Sequence, residues 1–350
     1  MNLKKQPLFS VIIPAFNVDH ILENTLESIY SQTFTEFEVI VINDESSDDT
    51  EKILLEFSRK HSNFIYQTVS NGGPGKARNK GIELATGKYL LFFDADDAIP
   101  KHTLMTYYNL MKTEDVDLIV SGYELNVVSN NQVLSSRKVS HRKQLYLTKK
   151  SFISDLYTLM EQQLMYVVWN KVYKRDIIVE NEIKFPNFKS SEDRLFNLSY
   201  FHHVNKVLVT EEILYYYSFD GVNSLTNRFI ENKFDTFVHF YNSVLDLTGN
   251  IDIEGYSALF LKGVLSSIVP IYSKDCRFSY SEKKEYIKKV ITHRSVVEAN
   301  NVAKTDTLMR KISKVLFKIQ SVHLMLVATS IIYIISVKFP RALEDLKRLF

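Results

Sequence analysis

Two hydrophobic rhythms alternate along the chain from Leu8 to about Ser121. Short apolar, β-branched runs at Leu8–Ile13, Phe37–Asn43, Phe64–Val69, Tyr89–Asp94 and Leu118–Ser121 predict strands. Between them, Ile21, Leu22, Thr25, Leu26 and Ile29 recur at helical spacing, as do Ile53, Leu54 and Phe57, then Ala77, Gly81, Ile82 and Ala85. Strand and helix in turn imply βαβ units, hence an α/β, Rossmann-like architecture with a mainly parallel central sheet and flanking helices. Ligands of such sheets bind beyond the carboxyl ends of the strands. Four polar or turn-forming segments fall there: Pro14-Ala15-Phe16-Asn17, Asn43-Asp44-Glu45-Ser46, Ser70-Asn71-Gly72-Gly73 and Asp94-Ala95-Asp96-Asp97.

Residues 122–225 are less regular, with Asn126–Gln132 reading as a polar loop and Tyr166–Lys174 as a Tyr/Trp-rich stretch. After Asn227 the pattern is helical to the end. The expected division is therefore a domain of residues 1–226 and a helical region of residues 227–350, with the boundary near residue 226. Within the second region Leu308, Ile312, Val315, Leu316 and Ile319 line one helical face, and Lys311, Lys314 and Lys318 cluster on another, as in an interfacial basic helix. Lys318 and Lys338 then bracket residues 319–337, which contain no Lys, Arg, Asp or Glu. One helix over that stretch would be about 28 Å long, close to a bilayer core. Gln320, Ser321, His323, Ser330 and Ser336 dilute it. Surface attachment is the expectation, with a single C-terminal span or a buried core helix as alternatives.

Composition sharpens this picture in three ways. Hydrophobic residues at 45% and charged residues at 24% describe a globular protein, and 350 residues suit two domains. A lone cysteine, Cys276, excludes a disulfide framework and a cysteine zinc site. The net charge of +2 hides a basic C-terminus: residues 301–350 hold nine Lys or Arg against three Asp or Glu, leaving the remainder net acidic. Nothing before Leu8 reads as a signal peptide, so the expected location is the cytoplasm.

The chemistry concentrates where Tyr89–Phe93 runs into Asp94, Asp96 and Asp97. Asp94 and Asp96 lie two apart and project to one side of an extended chain. Hard carboxylate oxygens in this pattern suit Mg²⁺ or Mn²⁺, which bind substrate phosphates as well; a helix cap or acidic turn is the other reading. After the second strand, Ser46, Ser47, Asp48 or Asp49 is placed to cap a helix, while Asp44 comes first off the strand. Asp44, Ser46 and Asp48 have the spacing of a calcium loop, but Asp49 stands at its glycine position and Leu55 at its twelfth, which excludes calcium. Asn71–Gly81 is a glycine turn followed by Lys76, Arg78 and Lys80, able to approach an anion closely. It fits neither GxxxxGK[ST] nor GxGxxG. Ser190-Ser191-Glu192-Asp193 reads as a helix start, and its acid pair could also serve a cleft as general base. His202 and His203, being neighbours, could contribute at most one side chain to a site.

In this order the segments resemble family-2 glycosyltransferases of the GT-A fold, particularly bacterial enzymes building capsular or other cell-surface polysaccharides. The matching stretches are Ser10–Asn17, Phe37–Asp44, Asn71–Gly81, Gly87–Asp97, Trp169-Asn170-Lys171, Glu192-Asp193, and Leu214–Tyr217 with Asn223–Thr226. Glu45 departs from the family pattern, which usually has glycine there. The resemblance implies an inverting, metal-dependent transferase moving a sugar from a UDP-sugar to a hydroxyl of a glycan acceptor. By carry-over, Pro14, Ala15, Asn17, Asp44, Gly73, Arg78 and Asp94 would bind the donor nucleotide, with Asp44 near the base and Asp94 near the ribose. Asp96, helped by Asp97, would approach an Mn²⁺ or Mg²⁺ ion on the diphosphate. Asp193 would be the catalytic base, Glu192 its support, and Trp169 would shape the acceptor side. The basic, apolar C-terminus adds the expectation of a polyprenyl-diphosphate-linked acceptor, met at the inner face of the cell membrane, and no nucleic acid. A non-catalytic nucleotide-sugar-binding scaffold and a sugar nucleotidyltransferase are the rival readings.

Overall fold

A computed structural model of the chain describes residues 6–129, 132–188, 190–220 and 229–338. They fall into two compact units, one built from residues up to Phe188 together with Glu192–Asp220, the other from the remainder. The boundary expected near residue 226 and the segment Asn223–Thr226 lie outside the described residues.

The first unit is organised by one sheet. Strands β1 (Phe9–Ala15), β2 (Phe37–Asn43), β3 (Phe64–Thr68) and β4 (Tyr89–Phe92) pair in parallel in the order β3-β2-β1-β4. All seven residues of β2 are buried, as expected for a strand covered on both faces by helices. Helices α1 (Leu22–Tyr30), α2 (Thr50–Lys60) and α3 (Pro74–Leu84) make the crossovers, burying the residues that gave them their helical period, among them Leu22, Leu26, Ile29, Leu54 and Phe57. Helix α4 (Thr103–Thr113) follows β4.

Beyond β4 the parallel rhythm breaks. The next neighbour in the sheet is β8 (Lys171–Lys174), antiparallel to both β4 and β5 (Leu118–Ser129), so part of the Tyr/Trp-rich stretch is a central strand. Strand β9 (Val207–Asp220) pairs in parallel with β5, and β7 (Gln144–Tyr146) closes the order. The polar loop expected at Asn126–Gln132 is corrected: β5 continues to Ser129 and pairs antiparallel with β6 (Gln132–Val139). Six residues of β6 are exposed, and exposed strand positions carry no hydrophobic signal for a sequence pattern to reveal. Helices α5 (Lys149–Glu161), α6 (Arg175–Glu180) and α7 (Glu192–Phe201) complete the unit.

The second unit is helical: α8 (Lys233–Thr248), α9 (Ile253–Ile268), α10 (Tyr280–Ile291), α11 (Arg294–Val302), α12 (Leu308–Ile319) and α13 (Val322–Lys338). The segment Ile253–Tyr272 is long and apolar enough to cross a membrane, but 72% of its apolar window is buried inside the protein, which makes it a core element. The single helix considered for residues 319–337 is also corrected. Gln320 adopts φ 51°, a left-handed conformation that ends α12, and α13 starts at Val322.

Candidate active site

The four parallel strands deliver their following loops to one rim, where the loops brace one another. The Asn17 side chain accepts a hydrogen bond from the Ser47 amide at 2.8 Å, and its own amide donates to Ser46 Oγ at 3.0 Å. Asp48 extends the seam by accepting from the Asp19 amide at 3.1 Å and from Thr50 N, also at 3.1 Å, at the start of α2. Asp48 is thus the member of its polar run that satisfies a helix amide. The Ala15 carbonyl accepts from the Asp44 amide at 2.8 Å, joining the end of β1 to the residue that leaves β2.

Asp44 is almost fully buried, and its carboxylate accepts from Gly72 N at 2.9 Å and Gly73 N at 2.8 Å. It therefore fixes the glycine turn. Gly73 has φ 85°, a conformation that favours glycine. Gly75 meets a different demand: a Cβ there would lie 3.3 Å from Glu192 Cγ and 3.3 Å from Phe185 Cβ. Its missing side chain lets the start of α3 approach the start of α7.

That approach creates the centre of the site. Arg78, only 4% exposed, donates to Asp94 Oδ1 at 2.7 Å and Asp193 Oδ1 at 2.8 Å, with Glu192 Oε1 at 3.5 Å. One guanidinium thus gathers three carboxylates from two segments more than ninety positions apart in sequence. Burial opposes the Arg78 charge, but Asp193, Asp94 and Glu192 outweigh it and raise its pKa. Burial also pushes the Asp193 carboxyl up to about 7; Arg78 opposes that rise, Glu192 and Asp94 add to it, and Lys171 opposes it again.

The two carboxylates assigned to a metal diverge. Asp96 is exposed on the turn. Asp97 is 3% exposed and accepts from Tyr215 OH at 2.8 Å and Ser218 N at 2.8 Å. Its carboxyl is raised well above the usual range, first by burial and then by Asp96 and Asp94. Asp97 therefore holds the turn against β9. No group of three or more His, Cys, Asp or Glu side chains among the described residues is arranged around a common metal position. An exposed carboxylate still suits Mg²⁺ or Mn²⁺ when phosphate oxygens and water complete the coordination, and Asp96, whose carboxyl desolvation and then Asp94 raise to about 6, provides one.

Trp169 is 3% exposed and stacks on Tyr215 at 4.5 Å and Tyr217 at 5.2 Å between ring centroids. Being buried, it supports the acid turn through Tyr215. Tyr215 itself has a role that the pattern of residues did not reveal, because its hydroxyl accepts from the Asp94 amide at 3.1 Å while donating to Asp97. The sequence signal was its place in the family-like stretch Leu214–Tyr217, which assigned it no role. Lys171 was legible only as part of the family-like stretch Trp169-Asn170-Lys171, without a role. It is completely buried and donates to the Leu164 and Val167 carbonyls, both at 2.7 Å, and to Asn170 Oδ1 at 2.8 Å. Asn197 on α7 donates to the Met165 and Val167 carbonyls, tying the same loop to the helix that begins with Glu192 and Asp193. Of the histidines, His202 is half-buried and His203 exposed, at the end of α7 away from its acid pair.

The chain matches the family model described as glycosyl transferase family 2 over residues 10–180. It is 30% identical over 213 residues to the poly(ribitol-phosphate) beta-glucosyltransferase of Bacillus spizizenii, covering 59% of this chain and 32% of that protein. It is 31% identical over 215 residues to the poly(ribitol-phosphate) beta-N-acetylglucosaminyltransferase TarS of Staphylococcus aureus, covering 60% of this chain and 35% of TarS. The chain thus spans about a third of the length of these curated relatives. The crystal structure of S. aureus TarS 1–349 in complex with UDP-GlcNAc superimposes with a TM-score of 0.61 at 22% identity, covering 91% of this chain and 89% of that one. That likeness establishes a GT-A fold. The family match covers residues 10–180, the stretch that carries β1 to β4 and the acid turn, and identifies that stretch as a glycosyl transferase family 2 region.

Proposed function

We propose that this protein is an inverting glycosyltransferase that moves a sugar from a UDP-sugar to a hydroxyl of a cell-surface glycan. The observation that carries the proposal is the gathering of Asp94, Glu192 and Asp193 on Arg78 at the carboxyl end of a parallel sheet. The names of the curated relatives, a poly(ribitol-phosphate) beta-glucosyltransferase and a poly(ribitol-phosphate) beta-N-acetylglucosaminyltransferase, support the same reaction class.

The donor nucleotide would lie across Pro14, Ala15, Asn17 and the turn that Asp44 holds at Gly73, with Asp94 at its ribose. Direct displacement at the anomeric carbon requires the acceptor hydroxyl to lose its proton as the new bond forms, and a carboxylate within about 3 Å supplies that base. Asp193 is assigned this role. Its carboxyl near 7 is basic enough to take a proton and largely ionised just above neutrality. Arg78 holds it in place, with Glu192 on the same guanidinium. Asp96 is the residue that would hold Mg²⁺ or Mn²⁺ together with the diphosphate; the chemistry supplied there is neutralisation of charge on the departing UDP. Trp169 would act on the acceptor side indirectly, by fixing Tyr215 and Tyr217.

The acceptor is proposed to be a glycan linked to a polyprenyl diphosphate. The enzyme would work from the cytoplasm, held to the inner membrane surface through its C-terminal region, on capsular or related polysaccharide. The test is UDP release from a panel of UDP-sugars, with and without Mn²⁺, followed by NMR assignment of the product anomer. Release from one donor with inverted configuration is expected. Donor binding by calorimetry without release would favour a scaffold, pyrophosphate release from UTP in a parallel incubation with sugar 1-phosphates would favour a nucleotidyltransferase, and retained configuration would remove Asp193 from its role.

A further inference from the structure

We propose that α12 is a docking helix that lies in the plane of an anionic lipid surface, aliphatic face down, without crossing it. This deepens the membrane contact just described and rests on that part of the reading, not on the chemistry.

Helix α12 is packed the wrong way round for a helix facing water. Leu308, Ile312, Val315 and Ile319 form its aliphatic stripe, and they are 69%, 43%, 55% and 53% exposed. The buried side instead carries Arg310, Ser313 and Phe317. Arg310 is accommodated there by Asp306 Oδ1 at 2.9 Å, and Ser313 Oγ donates to the Arg310 carbonyl at 3.1 Å. Amphipathic helices of globular proteins turn the apolar stripe inward. Single exposed aliphatic residues need no explanation, but four in helical register mark an interaction surface.

Charge selects the partner. From Thr307 to Lys338 the chain has five Lys or Arg and no Asp or Glu. Lys311 and Lys318 are exposed and lie one residue from Ile312 and Ile319, so any surface meeting the stripe also meets the lysines. An anionic bilayer offers both apolar depth and headgroup charge, whereas the same face on a second copy would bring lysine against lysine. Length excludes a crossing. Twelve residues span about 18 Å, short of a bilayer core of about 30 Å, and the left-handed Gln320 separates α12 from α13. Helix α13 shows the same outward habit, with Val327, Ile331 and Ile334 each at least half exposed.

The test is sedimentation of the full chain with phosphatidylcholine vesicles and with vesicles that also contain phosphatidylglycerol. The wild type is expected to partition to the anionic vesicles and to be released by high salt. Replacing both Lys311 and Lys318 by Gln should weaken partitioning about 25-fold, at roughly fivefold per lysine. Ile312→Glu with Val315→Glu should weaken it at least as much, while thermal melting and transfer to a soluble acceptor stay at wild-type levels. Undiminished partitioning of both variants would overturn the α12 proposal and leave membrane contact standing. No partitioning of the wild type would overturn both. Equal, salt-insensitive binding to the two vesicle types would overturn the anionic choice. Dimers seen by light scattering and dissolved by Val315→Glu, without vesicle binding, would make the face an interface between copies instead.

Discussion

Arg78 is the residue whose replacement discriminates most sharply between a positioning role and direct donor contact. Its guanidinium lies 2.8 Å from Asp193 Oδ1. Between charge centres about 4 Å apart, an effective dielectric of about 20 gives roughly 4 kcal/mol, an upper bound near three pKa units. Asp193 retains about a fifth of its exposure, and relaxation of Glu192 and Asp94 would absorb part of the loss, so a rise of at least about 1.5 units is the working figure. In Arg78→Gln the Asp193 carboxyl, about 7 in the wild type, should then titrate at roughly 8.5 or above. The ionised fraction at pH 7 falls from about one half to about 3%, so kcat/KM should drop on the order of tenfold and recover as pH rises toward 9. Arg78→Lys, which keeps the charge, should leave the acidic limb near its wild-type position. The assay is the pH profile of UDP release, accompanied by infrared titration of the carboxylates with Asp193→Asn as the blank. The second readout needs no turnover. A uniform loss at every pH with an unmoved limb would refute the argument, and so would an increase in donor KM alone, which would make Arg78 a donor ligand.

Three further outcomes follow from the same geometry. Asp193→Asn should retain donor binding by calorimetry but lose transfer by about 10²-fold or more; because the folded carboxyl is raised, its contribution to stability is full below about pH 4 and lost as pH rises through about 7, so the variant should melt no lower than the wild type at pH 8. Tyr215→Phe removes the hydroxyl that joins Asp94 N to Asp97, and denaturant titration should show a loss of about 1–3 kcal/mol; an unchanged midpoint would mean the turn is held by other contacts. Asp96→Ala should abolish any stimulation of UDP release by Mn²⁺ without lowering the melting temperature at pH 8, since the side chain is exposed and desolvation, then Asp94, raises its carboxyl to about 6; persistent stimulation would place the ion elsewhere.

What the sequence by itself determined is local and periodic. Runs such as Phe37–Asn43, buried at every position, can only be covered strands, and the helical spacing of Leu22, Leu26 and Ile29 survives intact in α1. Alternation of the two rhythms then dictated a parallel sheet, and with it the rim where Asp44, Gly73 and Asp94 gather. Tertiary structure decided everything that depends on distant partners. Strand β8 enters antiparallel between β4 and β5, a pairing that four residues cannot announce by pattern. Strand β6 was invisible because its side chains face water. The division of labour between Asp96 and Asp97 rests on Tyr215, more than a hundred positions away, and the triple ion pair of Arg78 rests on the glycine at position 75 leaving room for Glu192. The same limit applies to α12. Composition gave an amphipathic basic helix, but which side faces water follows from what the neighbouring helices leave uncovered, and that is a property of the packed unit alone.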